Sequence, residues 1–335
     1  VSRIAILGAG SWGTALALNL CRRDDHSVTL WAHTPAQAEA MLAERENRRY
    51  LPGFKLPASL SVTASLTESL SSAELVLLVV PSQHLRAALV AAAPLLRSGA
   101  MLLSAAKGIE DRSLLRMTEV VAAVLGARAG QHPIGVLSGP SFALEVAAGR
   151  PSAVTVALSS NEDAESAQAL LSTESLRVYR NTDVVGVEMG GALKNVIAIA
   201  AGAVAGLELG HNSLAALITR GIAEITRLAL ACGGRRETLA GLAGVGDLVL
   251  TCTGGLSRNR FVGQELGRGR ALAEIVASLD GKVAEGVRTT HAALGLAAKH
   301  GVEMPIATEV QAVLSGERSA AEAVRLLMTR PGRDE

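Results

Sequence analysis

A lysine set in an apolar helix is the first residue of this sequence that could do chemistry. Residues Val184 to Ala205 read VVGVEMGGALKNVIAIAAGAVA, which predicts a helix, and Lys194 stands in it between Leu193 and Asn195. Lysine is almost never fully buried without a partner, so an ammonium here requires either a carboxylate or a substrate. A lysine whose stem only covers apolar surface at the rim of a core helix is the alternative. Thr182 and Asp183 ahead of the run are N-cap types. Small residues recur along one stripe as Gly191, Ala198, Gly202 and Ala205, which predicts close approach of another backbone or a ligand.

The second constellation lies at the beginning of the sequence. Arg3 to Gly8 is a short apolar run, and Thr14 to Leu20 has a helical pattern. Between them Gly8-Ala9-Gly10-Ser11-Trp12-Gly13 has the GxGxxG spacing of a dinucleotide-binding turn. Gly8 would make the tight turn, Gly10 would admit a pyrophosphate, and Gly13 would let helix and strand pack. The helix N-terminus would then offer N–H groups to the phosphates. The same spacing also serves a βα turn that binds nothing. A second strand, Ser27 to Trp31, runs into Ala32-His33-Thr34, and Asp24 and Asp25 lie at its other end. NAD-selective sites place Asp or Glu where Ala32 to Thr34 stand. Without a carboxylate to repel a 2′-phosphate, and with His33 or a nearby arginine to meet one, NADP is admitted alongside NAD.

The elements that must position these groups read as a parallel sheet. Glu74 to Val80, Ala100 to Ala105 and Ile134 to Leu137 are strand runs, and Ser152 to Leu158 and Leu176 to Tyr179 extend the sheet. Ligands in such sheets bind outside the carboxyl ends of the strands, where Lys107, Gly139 and Ser141 fall. After Thr182 the pattern becomes helical and rich in alanine. The expected domains are therefore 1–183, a Rossmann-type doubly wound, mostly parallel α/β sheet for the dinucleotide, and 184–335, an all-α domain for substrate and catalysis. In the latter, Leu214 to Ala231 is an amphipathic helix with Arg220, Glu224 and Arg227 on its polar side. Three glycines then break the helical pattern between Gly241 and Asp247. Ser257 reads as the N-cap of a helix from Arg258 to Leu266, a start that suits a phosphate because backbone N–H groups combine with the fork of Arg258. Ser319 to Glu322 is a capping box opening a last helix, and Arg330 to Glu335 reads as a frayed tail.

Composition narrows the class. At 335 residues and 49% hydrophobic the chain can bury the core of two domains. A net charge of +1 and 2% aromatics supply neither the field nor the stacking surfaces that nucleic acid requires. The three cysteines, Cys21, Cys232 and Cys252, lack metal or disulfide spacing and suit a reducing compartment, so no metal is expected. Arg3 and the apolar run after it look superficially like a signal peptide, but the patterned glycines argue against one. Glu188 and Lys194 argue against a membrane span in the most apolar helix. A cytoplasmic homodimer acting on a small molecule is the expectation.

Taken together, GAGSWGTALA (8 to 17), the Ala-Lys-Gly at 106 to 108, LSGPSFA (137 to 143), GGALKN (190 to 195), GLAGVGDLVLTC (241 to 252), SRNR (257 to 260) and AEGVRTT (284 to 290) resemble the bacterial NAD(P)-dependent glycerol-3-phosphate dehydrogenases. The likeness runs over nearly the full length. It implies reduction of dihydroxyacetone phosphate to sn-glycerol 3-phosphate, a precursor of phospholipids. Matched position by position, the resemblance implies cofactor contacts at Ser11, Trp12, His33, Tyr50, Lys107, Ala143, Arg258, Val283 and Glu285, beside Gly8, Gly10 and Gly13 of the turn. It implies substrate contacts at Lys107, Gly139, Ser141, Lys194, Asp247, Ser257, Arg258 and Asn259. Lys194 would be proton donor and acceptor, with Lys107 and Asp247 setting its charge and direction. His33 departs from the arginine frequent there in the family. A regulator that senses the dinucleotide gives the two lysines no common target. A site for S-adenosylmethionine would want an acid ending the second strand. A dehydrogenase of 2-hydroxy acids or sugar acids is the nearest rival.

Overall fold

A computed structural model describes residues 1–331 of the chain. Of the tail expected from Arg330, residues 332–335 lie outside the described residues. The chain divides into two compact units, Val1–Lys107 with Leu115–Glu188, and Gly108–Leu114 with Met189–Glu335. The boundary expected at 183/184 marks the start of the long helix, whereas the chain passes between units inside that helix, after Glu188.

The first unit is built on an eight-stranded sheet. In chain order its strands are β1 Ser2–Leu7, β2 His26–Trp31, β3 Ser61–Thr63, β4 Leu75–Leu78, β5 Met101–Ser104, β6 Ile134–Ser138, β7 Ser152–Leu158 and β8 Leu176–Asn181. They lie in the order β8-β7-β6-β5-β4-β1-β2-β3. Every neighbouring pair is parallel except β6 with β7, which is antiparallel. The order reverses between β1 and β4, and such a reversal opens a crevice at the carboxyl ends of those strands. Alternation of side chains across the pleat fills both faces. Ile4 and Ile6 pack on one side with Leu16, Leu20 and Leu171, while Ala5 and Leu7 pack on the other with Leu85, Leu89 and Val121. β3 is too short to be legible in sequence, and a small antiparallel ribbon, Glu46–Asn47 with Leu51–Lys55, was not expected either.

The second unit is helical among its described residues. Its long helix, Val184–Gly206, is capped as its sequence predicts, by Asp183 Oδ1 accepting from Gly186 N at 2.8 Å. By length and a mean hydropathy of 1.5 this helix could cross a bilayer, more than its two charges had suggested, but 83% of that apolar window is buried inside the protein. The stripe of small residues serves helix packing. A Cβ on Gly202 would stand 2.0 Å from Arg260 O, and one on Gly263 would stand 1.8 Å from Ile199 O. The helix Arg258–Gly267 therefore lies backbone to backbone on the long one. Glu224 is not on a polar face: it is 1% exposed, and its carboxylate accepts from Ile306 N and Ala307 N at 2.9 Å each. It caps the helix Pro305–Leu314, which has no side-chain cap of its own. Burial raises the Glu224 pKa, opposed by those two N–H donors.

If the helix crossing depends on glycine, Gly263→Ala should cost about 1–3 kcal/mol through overpacking and lower Tm by several degrees. Gly255→Ala, where a Cβ meets nothing within 4 Å, should leave Tm within about a degree. Thermal denaturation of both variants checks this.

Candidate active site

In the first unit the glycine turn forms as its spacing predicts, and the three glycines prove to have different reasons. Gly8 has φ +125°, and a Cβ there would stand 2.9 Å from the Val79 carbonyl. A Cβ on Gly13 would stand 1.9 Å from Gly8 O. Packing of the protein on itself thus requires both. Around Gly10 a Cβ meets nothing within 4 Å, so the protein's own packing leaves that position open, as a pyrophosphate laid against the backbone needs. The helix that follows, Ser11–Leu20, has no acidic residue in its first turn to oppose an anion. Its indole neighbour Trp12 has a buried Nε1 with no acceptor among the described residues.

The turn is held from outside by residues that sequence reasoning missed. Ala9 O accepts from Gln37 Nε2 at 2.9 Å and from Asn47 Nδ2 at 3.0 Å, and Asn47 also donates to Thr14 Oγ1 at 2.8 Å. Ser11 Oγ donates to Tyr50 O at 2.6 Å, which brings Tyr50 to the turn. His33, beyond the end of β2, is exposed and lies edge-on to Trp31 at 5.7 Å.

The loops after β5 and β6 also meet. Lys107 Nζ donates to Gly139 O at 2.8 Å, and Ser141 Oγ donates to the same oxygen at 3.0 Å. Gly139 turns the chain at φ +133°, and Ala143 opens the short helix that follows. Residues from two loops thus meet at one carbonyl. A further network missed in the sequence is buried in this unit: Glu188 accepts from Thr118 N at 2.8 Å, from Thr118 Oγ1 at 2.7 Å and from Arg116. Burial raises the pKa of Glu188, opposed by the Arg116 guanidinium.

In the second unit Lys194 has the carboxylate that its burial demands. Its Nζ donates to Asp247 Oδ1 and to Thr251 Oγ1, both at 2.6 Å, and the three residues are 7%, 1% and 3% exposed. A lysine resting on the rim of a core helix is therefore ruled out. Asp247 and Thr251 are one helical turn apart on Asp247–Thr253, so a single face presents both. That i, i+4 spacing was the available signal for Thr251. The glycine run before Asp247 does not break the helical pattern as expected. It forms a π turn over Leu242–Gly246 that continues into the helix, a feature frequent at functional sites. Burial pushes the neighbouring Cys252 thiol up to about 12, so it is no nucleophile at neutral pH.

Ser257 caps the Arg258–Gly267 helix as predicted, its Oγ accepting from Arg260 N at 3.2 Å. Arg258 is exposed at the helix start and makes no hydrogen bond or ion pair among the described residues. Asn259 is buried and turned toward the protein. Its Nδ2 donates to Asn195 Oδ1 and its Oδ1 accepts from Gly286 N, both at 2.9 Å. Val283 is 37% exposed just ahead of the helix that Glu285 begins. Among the described residues no cluster of three or more His, Cys, Asp or Glu could hold a metal ion.

Residues 3–164 match the family described as the NAD-dependent glycerol-3-phosphate dehydrogenase N-terminus, and residues 183–325 match that described as its C-terminus. The chain belongs to the NAD-dependent glycerol-3-phosphate dehydrogenases. It is similar to the glycerol-3-phosphate dehydrogenase [NAD(P)+] of Acidobacterium capsulatum, with 59% identity over 100% of both chains. The corresponding protein of Geobacter sulfurreducens is 53% identical over 98% of this chain and 97% of its own. Among solved structures, glycerol-3-phosphate dehydrogenase from Coxiella burnetii superposes with a TM-score of 0.93 at 42% identity, covering 98% of this chain and 99% of that one. The family's N-terminal match contains the glycine turn and Lys107, and its C-terminal match contains Lys194, Asp247 and Arg258.

The different reasons for the glycines yield an expectation. Gly10→Ala should keep Tm within about two degrees of the parent and bind NADPH at least tenfold more weakly, whereas Gly13→Ala should lower Tm by several degrees, as Gly263→Ala should. Thermal melts beside fluorescence titration with NADPH separate the two.

Proposed function

We propose that this chain reduces dihydroxyacetone phosphate to sn-glycerol 3-phosphate, reversibly, with NADPH or NADH. The observation that carries the reading is the buried Lys194 ammonium held by Asp247 and Thr251 in a chain that belongs to this family. The dinucleotide, when bound, supplies the two electrons and the hydrogen that reduce the ketone carbon. The residues of the first unit that would hold it are Gly8, Gly10, Ser11, Trp12, Gly13, His33, Tyr50, Lys107 and Ala143. The open backbone at Gly10 fits that role.

Negative charge gathers on the ketone oxygen as its carbon is reduced. Lys194 stabilises that charge and delivers a proton to the oxygen. Asp247 and Thr251 each accept an N–H of the ammonium, which fixes where Nζ points. In the reverse direction the neutral amine takes the proton back, and Asp247 stabilises the ammonium that results. Arg258 and the first N–H groups of its helix, capped by Ser257, bind the phosphate as a planar fork beside a helix dipole. Asn259, tied to Asn195 beside Lys194, sets the phosphate site relative to the lysine. The reading extends to a cytoplasmic homodimer supplying glycerol phosphate for phospholipids.

The reaction is tested by following NADPH and NADH oxidation with a panel of small ketones, among which dihydroxyacetone phosphate should be preferred. Lys194→Met alone leaves Asp247 buried without its cation, at a cost of about 3–5 kcal/mol, so the informative variant is Lys194→Met with Asp247→Asn. That pair should recover most of the lost Tm, while kcat stays about 10²–10⁴-fold below the parent. A pair that retains more than a tenth of parental kcat would make Lys194 structural only.

Phosphate recognition has its own expectation. Arg258→Ala should raise KM for dihydroxyacetone phosphate by about 10–100-fold, the worth of a charge-assisted hydrogen bond. Arg258→Lys should recover little of it, because a point charge cannot reproduce the fork. Steady-state kinetics with dihydroxyacetone as the unphosphorylated control measures the difference.

A further inference from the structure

The segment Asn47 to Tyr50 holds an arginine that no role described so far uses. Its neighbours are all engaged. Arg45 donates to the carbonyls of Leu56 and Pro57, Arg48 pairs with Glu44 at 3.1 Å, and Lys55 pairs with Glu46 at 3.0 Å. Arg49 is exposed and makes no hydrogen bond or ion pair among the described residues. Its guanidinium lies over the Tyr50 ring, 5.3 Å from the centroid.

This segment is tied to the glycine turn at both ends. Asn47 donates to Ala9 O and Thr14 Oγ1, and Tyr50 O accepts from Ser11. Asn47 Oδ1 also accepts from Tyr50 N at 3.3 Å, closing the segment on itself. Ala9 O is shared with Gln37, from the helix that begins just after Ala32-His33-Thr34. The helix that follows β2 and the Arg49 segment therefore meet at one carbonyl of the turn. The end of β2 is where a ribose 2′ substituent is read, by an acid for a hydroxyl or by an arginine for a phosphate. No acid stands there, and the imidazole of His33 lacks the fork of N–H donors with which an arginine holds a phosphate.

We infer that Arg49 is the specificity residue for NADPH, its guanidinium binding the 2′-phosphate of the adenosine while resting on the Tyr50 ring. The inference rests on the glycine turn being a dinucleotide site. An arginine stacked on an aromatic face has already lost part of its rotamer freedom, so less is lost when it engages a phosphate. Its fork supplies two N–H donors to the phosphate oxygens.

The test compares binding of 2′,5′-ADP with that of 5′-AMP by calorimetry, and kcat/KM for NADPH with that for NADH, in the parent, Arg49→Ala and Arg49→Lys. The expected result is a parent that prefers the 2′-phosphorylated ligand in both assays. Arg49→Ala should lower both preference ratios at least tenfold, and Arg49→Lys should lie between, since it keeps the charge without the fork. Ratios in Arg49→Ala within about twofold of the parent, or a parent without preference for the 2′-phosphate, would overturn the assignment to Arg49 and leave the dinucleotide site standing. A parent that binds none of these nucleotides would overturn the site itself, and Arg49 with it.

Discussion

Lys194 and Asp247 share one buried position, and much of the second unit follows from making that tolerable. Taking an ammonium and a carboxylate out of water is expensive for each ion. The offset comes from a 2.6 Å contact and from the Thr251 hydroxyl, which accepts from Lys194 while donating to Asp247 O at 2.6 Å. Such a contact requires the Asp247–Thr253 helix to sit close against the long one. Gly190, one turn before Lys194, allows it: a Cβ there would stand 2.4 Å from Ala243 O, in the π turn that leads into Asp247. The glycine and the lysine of GGALKN are thus one device, the first admitting the backbone that carries the partner of the second.

The same logic places the phosphate end. Gly202 and Gly263 let the Arg258–Gly267 helix cross the long helix at backbone contact. Asn259 then bonds Asn195 on one side and Gly286 on the other. A Cβ on Gly286 would stand 2.6 Å from Asn195 O. Three helices therefore meet at the residue next to Lys194, and the distance from Arg258 to the lysine is set by packing rather than by a loop. Rigid support of this kind is what positioning of a substrate requires, because an error of an ångström in a reacting group is costly.

In the first unit the constraint is the passage of a backbone turn between strands. Gly8 and Gly13 are fixed by contacts with Val79 and with each other, and Gly10 is the one glycine of the three that the protein leaves open. Asn47, Gln37 and Tyr50 surround the turn with side-chain and carbonyl partners. These residues come from the helix after β2 and the ribbon beyond it, so the turn's stiffness derives from elements distant in sequence.

Much of this was legible in the residues alone. The strands with unbroken apolar runs, the N-caps at Asp183, Ser257 and Ser319, and the glycine turn are local signals, since periodicity and capping act within a few residues. The candidate residues followed from side-chain chemistry and from resemblance. Other features depended on which segments meet. The antiparallel course of β7, the three-residue β3 and the inward turn of Glu224 toward Ile306 and Ala307 leave no periodic trace. Neither does Asn259 facing Asn195 instead of solvent. A sequence says that a buried lysine must have a partner, because desolvation makes that general. Resemblance names Asp247 for that part, but only the tertiary structure sets the 2.6 Å contact and adds Thr251, more than fifty residues away, because both depend on two backbones close enough to touch.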